Sequence, residues 1–220
     1  MNGAEYLTPI RLSLQVALLS GALALLLGTA IARLMARRAF RGKALLETAF
    51  LLPLVLPPTV VGFLLLVLLG RRSWLGRLIE WLFGAPIVFS WWAAVVAATV
   101  VAFPLAYQTL KAGFASVDRS LEEAARSMGA SEWQVLRYIS LPLSLRSIVS
   151  AFVLAFARCL GEFGATLMIA GNIPGRTQTA PTAIYVAVDS GKTGMAWAWT
   201  LTLVAISFLL LLLTGRRANA

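Results

Sequence analysis

The sequence predicts an all-α integral membrane protein with about five transmembrane helices, and three observations carry that prediction. Of its 220 residues 60% are hydrophobic, with a mean hydropathy of +0.84, which is more apolar side chain than one globular core of this size can bury. Five stretches, approximately Leu12–Ile31, Thr48–Leu69, Pro86–Leu110, Ser147–Ala170 and Thr193–Thr214, match the roughly 20 residues needed to cross a bilayer core, and only the fourth contains charges. The net charge of +10 is carried in the connections between these stretches, which suits membrane orientation rather than nucleic acid.

The first stretch follows an opening Met1-Asn2-Gly3-Ala4-Glu5 without a basic patch, the reverse of a cleavable export signal, so it reads as a retained helix. Assigning connections alternately places Arg33, Arg37, Arg38, Arg41, Lys43, Lys111, Arg119, Arg126, Arg137, Arg146, Arg216 and Arg217 on one side, twelve of the nineteen basic residues. The other side receives Arg11, Arg71, Arg72, Arg77, Arg176 and Lys192. An excess of basic residues marks the cytoplasmic side, so the chain is expected to start outside and finish inside.

The second stretch begins Leu52-Pro53-Leu54-Val55-Leu56-Pro57-Pro58-Thr59, and its prolines remove amide donors from the helical ladder. A break is expected there, in a helix that faces the bundle interior, because freed carbonyls are costly against hydrocarbon. Trp74, Leu78, Trp81 and Leu82 recur with helical spacing among Arg71, Arg72, Arg77 and Glu80, which predicts a short interfacial helix. Pro104 marks a packing kink or a functional one in the third stretch.

The connection over residues 111–146 carries two helix-start signals. Ser120-Leu121-Glu122-Glu123 fits a capping box, and Gly129 supplies the left-handed residue that closes a helix. Ser131-Glu132-Trp133-Gln134 is a second box, opening a helix that Pro142 should end. Two short helices thus meet at a glycine elbow, and helices this short need a partner surface. From the residues alone, an ordinary amphipathic connector accounts for the loop equally well.

In the fourth stretch Arg158 and Glu162 lie four residues apart, share a face and can neutralise one another, either as a structural ion pair or beside a path for an anion. Gly161 and Gly164 permit close helix approach. Cys159 is a small buried residue, and one cysteine permits no internal disulfide. The chain contains no histidine, which removes the commonest acid–base and metal-ligating side chain. The connection over residues 171–192, with Asn172, hydroxyls, free amides and Arg176, suits an oxyanion, an acidic partner, or nothing more than a polar turn. No repeat or second domain is apparent, so residues 1–220 form one domain.

The run Glu123-Ala124-Ala125, three residues, Gly129, nine residues, then Ile139-Ser140-Leu141-Pro142 resembles the EAA loop of ABC importer permeases at every defining position. The resemblance implies the small type I (MetI-like) permease architecture, with Glu123, Ala124, Ala125, Gly129, Ala130 and Ser131 docking into a cleft on a separate ATPase subunit. Arg158 to Thr166 resembles the fourth-segment signature of permeases for tetrahedral oxyanions. Gly171 to Thr179, with Pro181 and Ala183-Ile184-Tyr185, and Pro53 to Phe63 look like molybdate permeases. That family's pattern makes the Gly171–Thr179 loop, with Asn172 and Arg176, part of the outer gate region, and Pro57, Pro58, Arg158 and Glu162 are the further candidates for the path or gate.

It further implies a homodimer in the lipid bilayer of the bacterial inner membrane, two ATPase subunits and an extracytoplasmic molybdate-binding protein. This chain would bind no cofactor, since ATP and Mg belong to the ATPase subunit, and it lacks the glycine-rich lysine loop that cradles phosphates. It would not be an enzyme. A sulfate or tungstate permease, a passive anion channel and an intramembrane enzyme stay open as alternatives.

Overall fold

A computed structural model describes residues 3–38 and 40–218, with side chains as far as Leu212 except at Ala4. The readings that rest on Met1, Asn2 and the side chains of Ala4, Arg216 and Arg217 therefore lie outside the described residues. No strand occurs among those described.

The first helix, α1 (Gly3–Arg37), has 35 residues, about 52 Å at 1.5 Å per residue. It overshoots the predicted span at both ends, so Arg33 and Arg37 ride on a helical extension beyond the apolar stretch. The second stretch is two helices, α2 (Lys43–Val55) and α3 (Pro58–Leu69), bent by 115°. Leu56 is extended (φ −70°, ψ 141°), as a residue before proline prefers, and Pro58 opens α3 where a missing amide costs nothing. With 13 and 12 residues, neither arm alone reaches across roughly 30 Å of hydrocarbon.

The interfacial helix forms as α4 (Trp74–Phe83), capped by the Ser73 hydroxyl on the Gly76 amide at 2.8 Å and closed by left-handed Gly84. Its Trp74, Trp81 and Phe83 stay exposed. The third stretch is shifted toward the C-terminus. Pro86–Ser90 is a turn, and α5 (Trp91–Ala115) runs unbroken through a fully buried Pro104.

The connection that follows folds as α6 (Arg119–Ser127), α7 (Glu132–Val135), a π-helical turn (Leu136–Ser140) and α8 (Leu141–Leu143). The chain then bends by 74° into α9 (Leu145–Leu160). The fourth stretch is broken at Gly161-Glu162-Phe163, beyond which α10 (Gly164–Ala170) resumes. The 171–192 connection holds a helix of its own, α11 (Ala180–Asp189), started by Pro181 in its first turn, and α12 (Thr193–Ala218) ends the fold. Among the described residues α1, α5 and α12 are long and apolar enough to cross a membrane. Five spans are reached if the α2–α3 pair and the bent arm through α9 each count as one.

The core lies along α5, where Ala93, Ala94, Ala97, Ala98, Ala102 and Ala106 are fully buried. Small residues let neighbouring backbones approach, which in membranes replaces a hydrophobic drive between helices. A Cβ at Gly21 of α1 would lie 3.3 Å from the Phe156 Cα of α9, and one at Gly28 would lie 3.0 Å from Leu110 of α5. Ser20 donates to the Val95 carbonyl at 3.0 Å, and Cys159 Sγ sits 3.4 Å from the Ala98 carbonyl. The triad α1, α5 and α9 is the scaffold.

One expectation is corrected here. The α2 arm does not face the bundle interior: it has no buried residue, and Leu45 and Val55 are 76% and 80% exposed. Within one chain α2 rests on the outside of α5, with the Phe50 ring edge-on to Phe103 and Tyr107 at 5.7 and 5.5 Å between centroids, whereas α3 buries Val61, Gly62 and Leu69.

Candidate functional site

The glycine elbow forms, with one of its two predicted caps. Asp118, not Ser120, starts α6: its backbone is extended and its carboxylate accepts from the Ser120 amide at 2.9 Å. That bond from Ser120 holds the Asp118 carboxyl below its ordinary range. Ser120 therefore sits inside the first turn, and the Ser120–Glu123 box does not form, because a carboxylate two residues upstream already serves the free amide. The Ser131–Gln134 box is complete, with the Ser131 amide donating to Gln134 Oε1 at 2.7 Å and the Gln134 amide to Ser131 Oγ at 3.4 Å.

Gly129 is left-handed at φ +89°, as expected of the closing residue. Pro142 does not end the second helix. The preceding turn widens, with the Leu141 amide reaching back to Leu136 O, and this accommodates a ring that would clash with a regular ladder. The chain turns two residues later, at Ser144.

Of the residues the EAA resemblance singles out, Glu123, Ala124, Gly129 and Ser131 are exposed and Ala130 is half-buried. Ala125 is buried, at 5%, on the side of α6 that packs toward the second arm. Between the arms lies an open groove of about 320 Å³ whose walls include Met128, Gly129 and Tyr138. Of its walls Met128 and Tyr138 are 83% and 68% exposed, and Trp133, in the first turn of the second arm, is 64% exposed. The surface is mixed, with the Arg137 guanidinium 5.8 Å from the centre of the Tyr138 ring and Gln134 in the groove wall.

The most buried charge of the elbow is one that the sequence pattern does not single out. Glu122, at 1% exposure, accepts at Oε1 from Arg33 Nη1 at 2.8 Å, Arg37 Nη2 at 3.0 Å and Ser140 Oγ at 2.8 Å. Arg126 lies 3.6 Å from its other oxygen and also pairs with Glu132. Burial alone would push the Glu122 carboxyl up, but the Ser140 hydroxyl and the two α1 arginines outweigh it and hold it below the ordinary glutamate value. The one signal in the sequence is that Arg33 and Arg37 are a single turn apart, but their partner is some 85 residues on.

In the membrane, the breaks of α2–α3 and α9–α10 lie against each other. A Cβ at Gly164 would lie 3.2 Å from Pro58 Cβ and 3.3 Å from the Thr59 amide nitrogen, and one at Gly62 would lie 2.8 Å from both Cα and O of Ala165. The expected ion pair is present, Arg158 Nη1 to Glu162 Oε2 at 2.7 Å. The other oxygen of Glu162 accepts from the Ala165 amide at 2.8 Å, so this buried carboxylate also caps the resumed helix. Gly161 and Gly164 are not on one helix as expected: Gly161 ends α9 and touches nothing closely, while Gly164 makes the close approach.

Pro57 and Pro58 at one break and Arg158 and Glu162 at the other are thus brought to the same region by the contact of Gly164 with Pro58 and Thr59. Asn172 and Arg176 do not join it, since the seven residues of α10, about 10 Å of helix, intervene. Arg176, exposed, lines an open cavity of about 890 Å³ with Arg71, Arg72 and Phe89. Asn172 Oδ1 is buried without a partner. Part of the expected supply of free amides in this loop is taken up internally, because those of Arg176, Thr177 and Gln178 all donate to Ile173 O at 2.9–3.1 Å. Thr177 Oγ1 closes the turn by accepting from the Ile173 amide.

Residues 24–216 match the family described as binding-protein-dependent transport system inner membrane component. The chain belongs to that family. This permease is 55% identical over 211 residues to YvgM of Bacillus subtilis, covering 96% of this chain and 93% of that protein. It is 48% identical to the molybdenum transport system permease protein ModB of Escherichia coli K12, covering 85% and 82%. To the sulfate transport system permease protein CysW of Synechococcus elongatus it is 35% identical, covering 96% and 76%. Among solved structures, it superposes on a chain of a bacterial alginate ABC importer with a TM-score of 0.77 at 15% identity, over 99% of this chain and 80% of that one. A chain of the MetNI methionine ABC transporter gives 0.74 at 18%, over 97% and 94%. The fold is therefore that of type I ABC importer permeases, and the chain is a multi-pass membrane component of a transport system rather than an enzyme.

Proposed function

We propose that the chain is the permease subunit of an ATP-driven molybdate importer, working as a homodimer with two ATPase subunits and a molybdate-loaded binding protein. The observation that carries the coupling is the elbow: two short helices joined at Gly129, with Met128 and Tyr138 exposed on the walls of an open groove. Helices of nine and four residues are marginal alone, and a partner surface completes them. Molybdate is supported by the 48% identity to the E. coli molybdenum permease against 35% to the sulfate permease of Synechococcus.

The elbow then lies in the cytoplasm with the C-terminus, and the N-terminus and the Arg71–Arg72–Arg176 cavity lie outside, in keeping with the excess of basic residues on the elbow side. ATP binding draws the docked elbows together and opens the outer side; hydrolysis restores the inward-open state. The exposed faces of α2 and α3 suit the second copy, with the proline break and the Arg158–Glu162 pair beside the path. Selectivity resides mainly in the binding protein.

The test is co-purification with the ATPase subunits and ATP-dependent uptake of labelled molybdate into proteoliposomes. Glu123→Lys and Ala124→Trp alter exposed positions without touching the chain's own packing, whereas Gly129→Trp would also strain a left-handed backbone. Loss of both assembly and uptake is expected. Unchanged assembly and uptake would defeat the docking reading, uptake without any ATPase subunit would favour a passive channel, and preferred uptake of sulfate would overturn the substrate.

A further inference from the structure

The Glu122 cluster joins three elements at one carboxylate oxygen. Arg33 and Arg37 come from the end of α1, Glu122 from the first arm of the elbow, and Ser140 from the π-helical turn of the second arm, all within 2.8–3.0 Å. Arg37 also donates to the Val117 carbonyl at 3.0 Å, where the chain enters the elbow. The carboxylate is nearly sealed from water. Apolar packing would hold an elbow as well without the cost of burying charge. An ion cluster gripped from three directions does something packing does not: it fixes the relative position of its three elements, since sliding any one of them breaks a charged hydrogen bond in a water-poor site.

We infer that Glu122 is the positioning residue through which the elbow moves α1. The inference rests on the elbow docking to the ATPase subunit, and adds where the displacement goes. Direct covalent continuity leads from the elbow into α5 and α9 only. The clamp adds α1, which lies along both of them at the closely approached Gly21 and Gly28, so that α1, α5 and α9 shift together instead of α1 being left behind. Lengthening α1 past its apolar stretch is what brings Arg33 and Arg37 within reach.

The experiment uses the full complex with its binding protein in proteoliposomes and reads molecules of ATP hydrolysed per molybdate taken up. For Glu122→Gln, which keeps size and hydrogen bonding but not charge, the ratio should rise about fivefold or more, with co-purification of the ATPase unchanged. A merely structural role would lower hydrolysis and uptake together as assembled complex is lost, leaving the ratio unmoved. An unmoved ratio overturns the inference, whether or not the rates fall. Should Glu122→Gln fail to assemble, Arg33→Lys and Ser140→Ala, which keep the carboxylate, are measured by the same ratio: a rise supports the clamp and an unmoved value overturns it. Glu123→Lys keeps the two ideas separable: if it abolishes assembly while Glu122→Gln leaves the ratio unmoved, the docking reading stands and the clamp falls.

Discussion

Gly62→Ala isolates the contact on which the meeting of the two membrane breaks depends. Gly62 is buried in α3, and an added Cβ would lie 2.7 Å from Met168 Cβ and 2.8 Å from both Cα and O of Ala165 on α10. Real Cβ atoms do not approach backbone so closely, and two of the three neighbours are backbone, so α3 and α10 must separate. Overpacking of this kind costs about 1–3 kcal/mol, against which the better helix propensity of alanine returns at most about 1 kcal/mol. Gly194 in α12 provides the control, with nothing within 4 Å and no left-handed backbone. Gly194→Ala should be neutral or slightly stabilising. Thermal unfolding of the purified permease in nanodiscs reads both, and for a chain of this size 1 kcal/mol corresponds to about 2–4 °C. Gly62→Ala melting at or above the parent, or no lower than Gly194→Ala, would refute the close α3–α10 contact.

Three further outcomes are expected. Glu162→Ala, which removes both the partner of half-buried Arg158 and the acceptor for the Ala165 amide, should destabilise by about 1–3 kcal/mol; Glu162→Gln, which can still accept from the Ala165 amide, should lose less in the same melt. Ser131→Ala should loosen the second arm by about 1 kcal/mol, seen as faster hydrogen exchange at residues 132–135 with exchange in α5 unchanged. Because the Glu122 carboxyl is held below its ordinary value, its contribution is complete above the unfolded carboxylate range near 4.3 and is lost as pH falls through the lower folded value. Limited proteolysis of the elbow should therefore be flat from about pH 5 to 8, rising only in stronger acid; a rise between pH 6 and 7 would contradict the clamp.

Much of the architecture is local and was legible in the sequence. The adjacent Pro57 and Pro58 break the second stretch as read, since two missing amides in succession are a property of the residues, whereas single Pro53 and Pro104 stay inside α2 and α5. The left-handed bend at Gly129 and the Ser131–Gln134 box are settled within four residues. The i, i+4 spacing of Arg158 and Glu162 delivered their pairing, but not the helix break between them and Gly164, because a seven-residue helix against α3 is favoured only once Gly62 and Gly164 meet their neighbours. The same limit misplaced the start of α6, where Asp118 and Ser120 are both competent caps.

The sequence by itself determined a multi-span helical membrane protein with a glycine elbow, because hydropathy, proline and capping act over a few residues, and the permease reading came from the resemblance of that elbow to the EAA loop. Only the tertiary structure decided which acidic residue of the Glu122-Glu123 pair is buried and which is presented. Burial of Glu122 requires Arg33, Arg37 and Ser140 to converge from distant segments, and the free energy that keeps a charge out of water exists only when all of them arrive together.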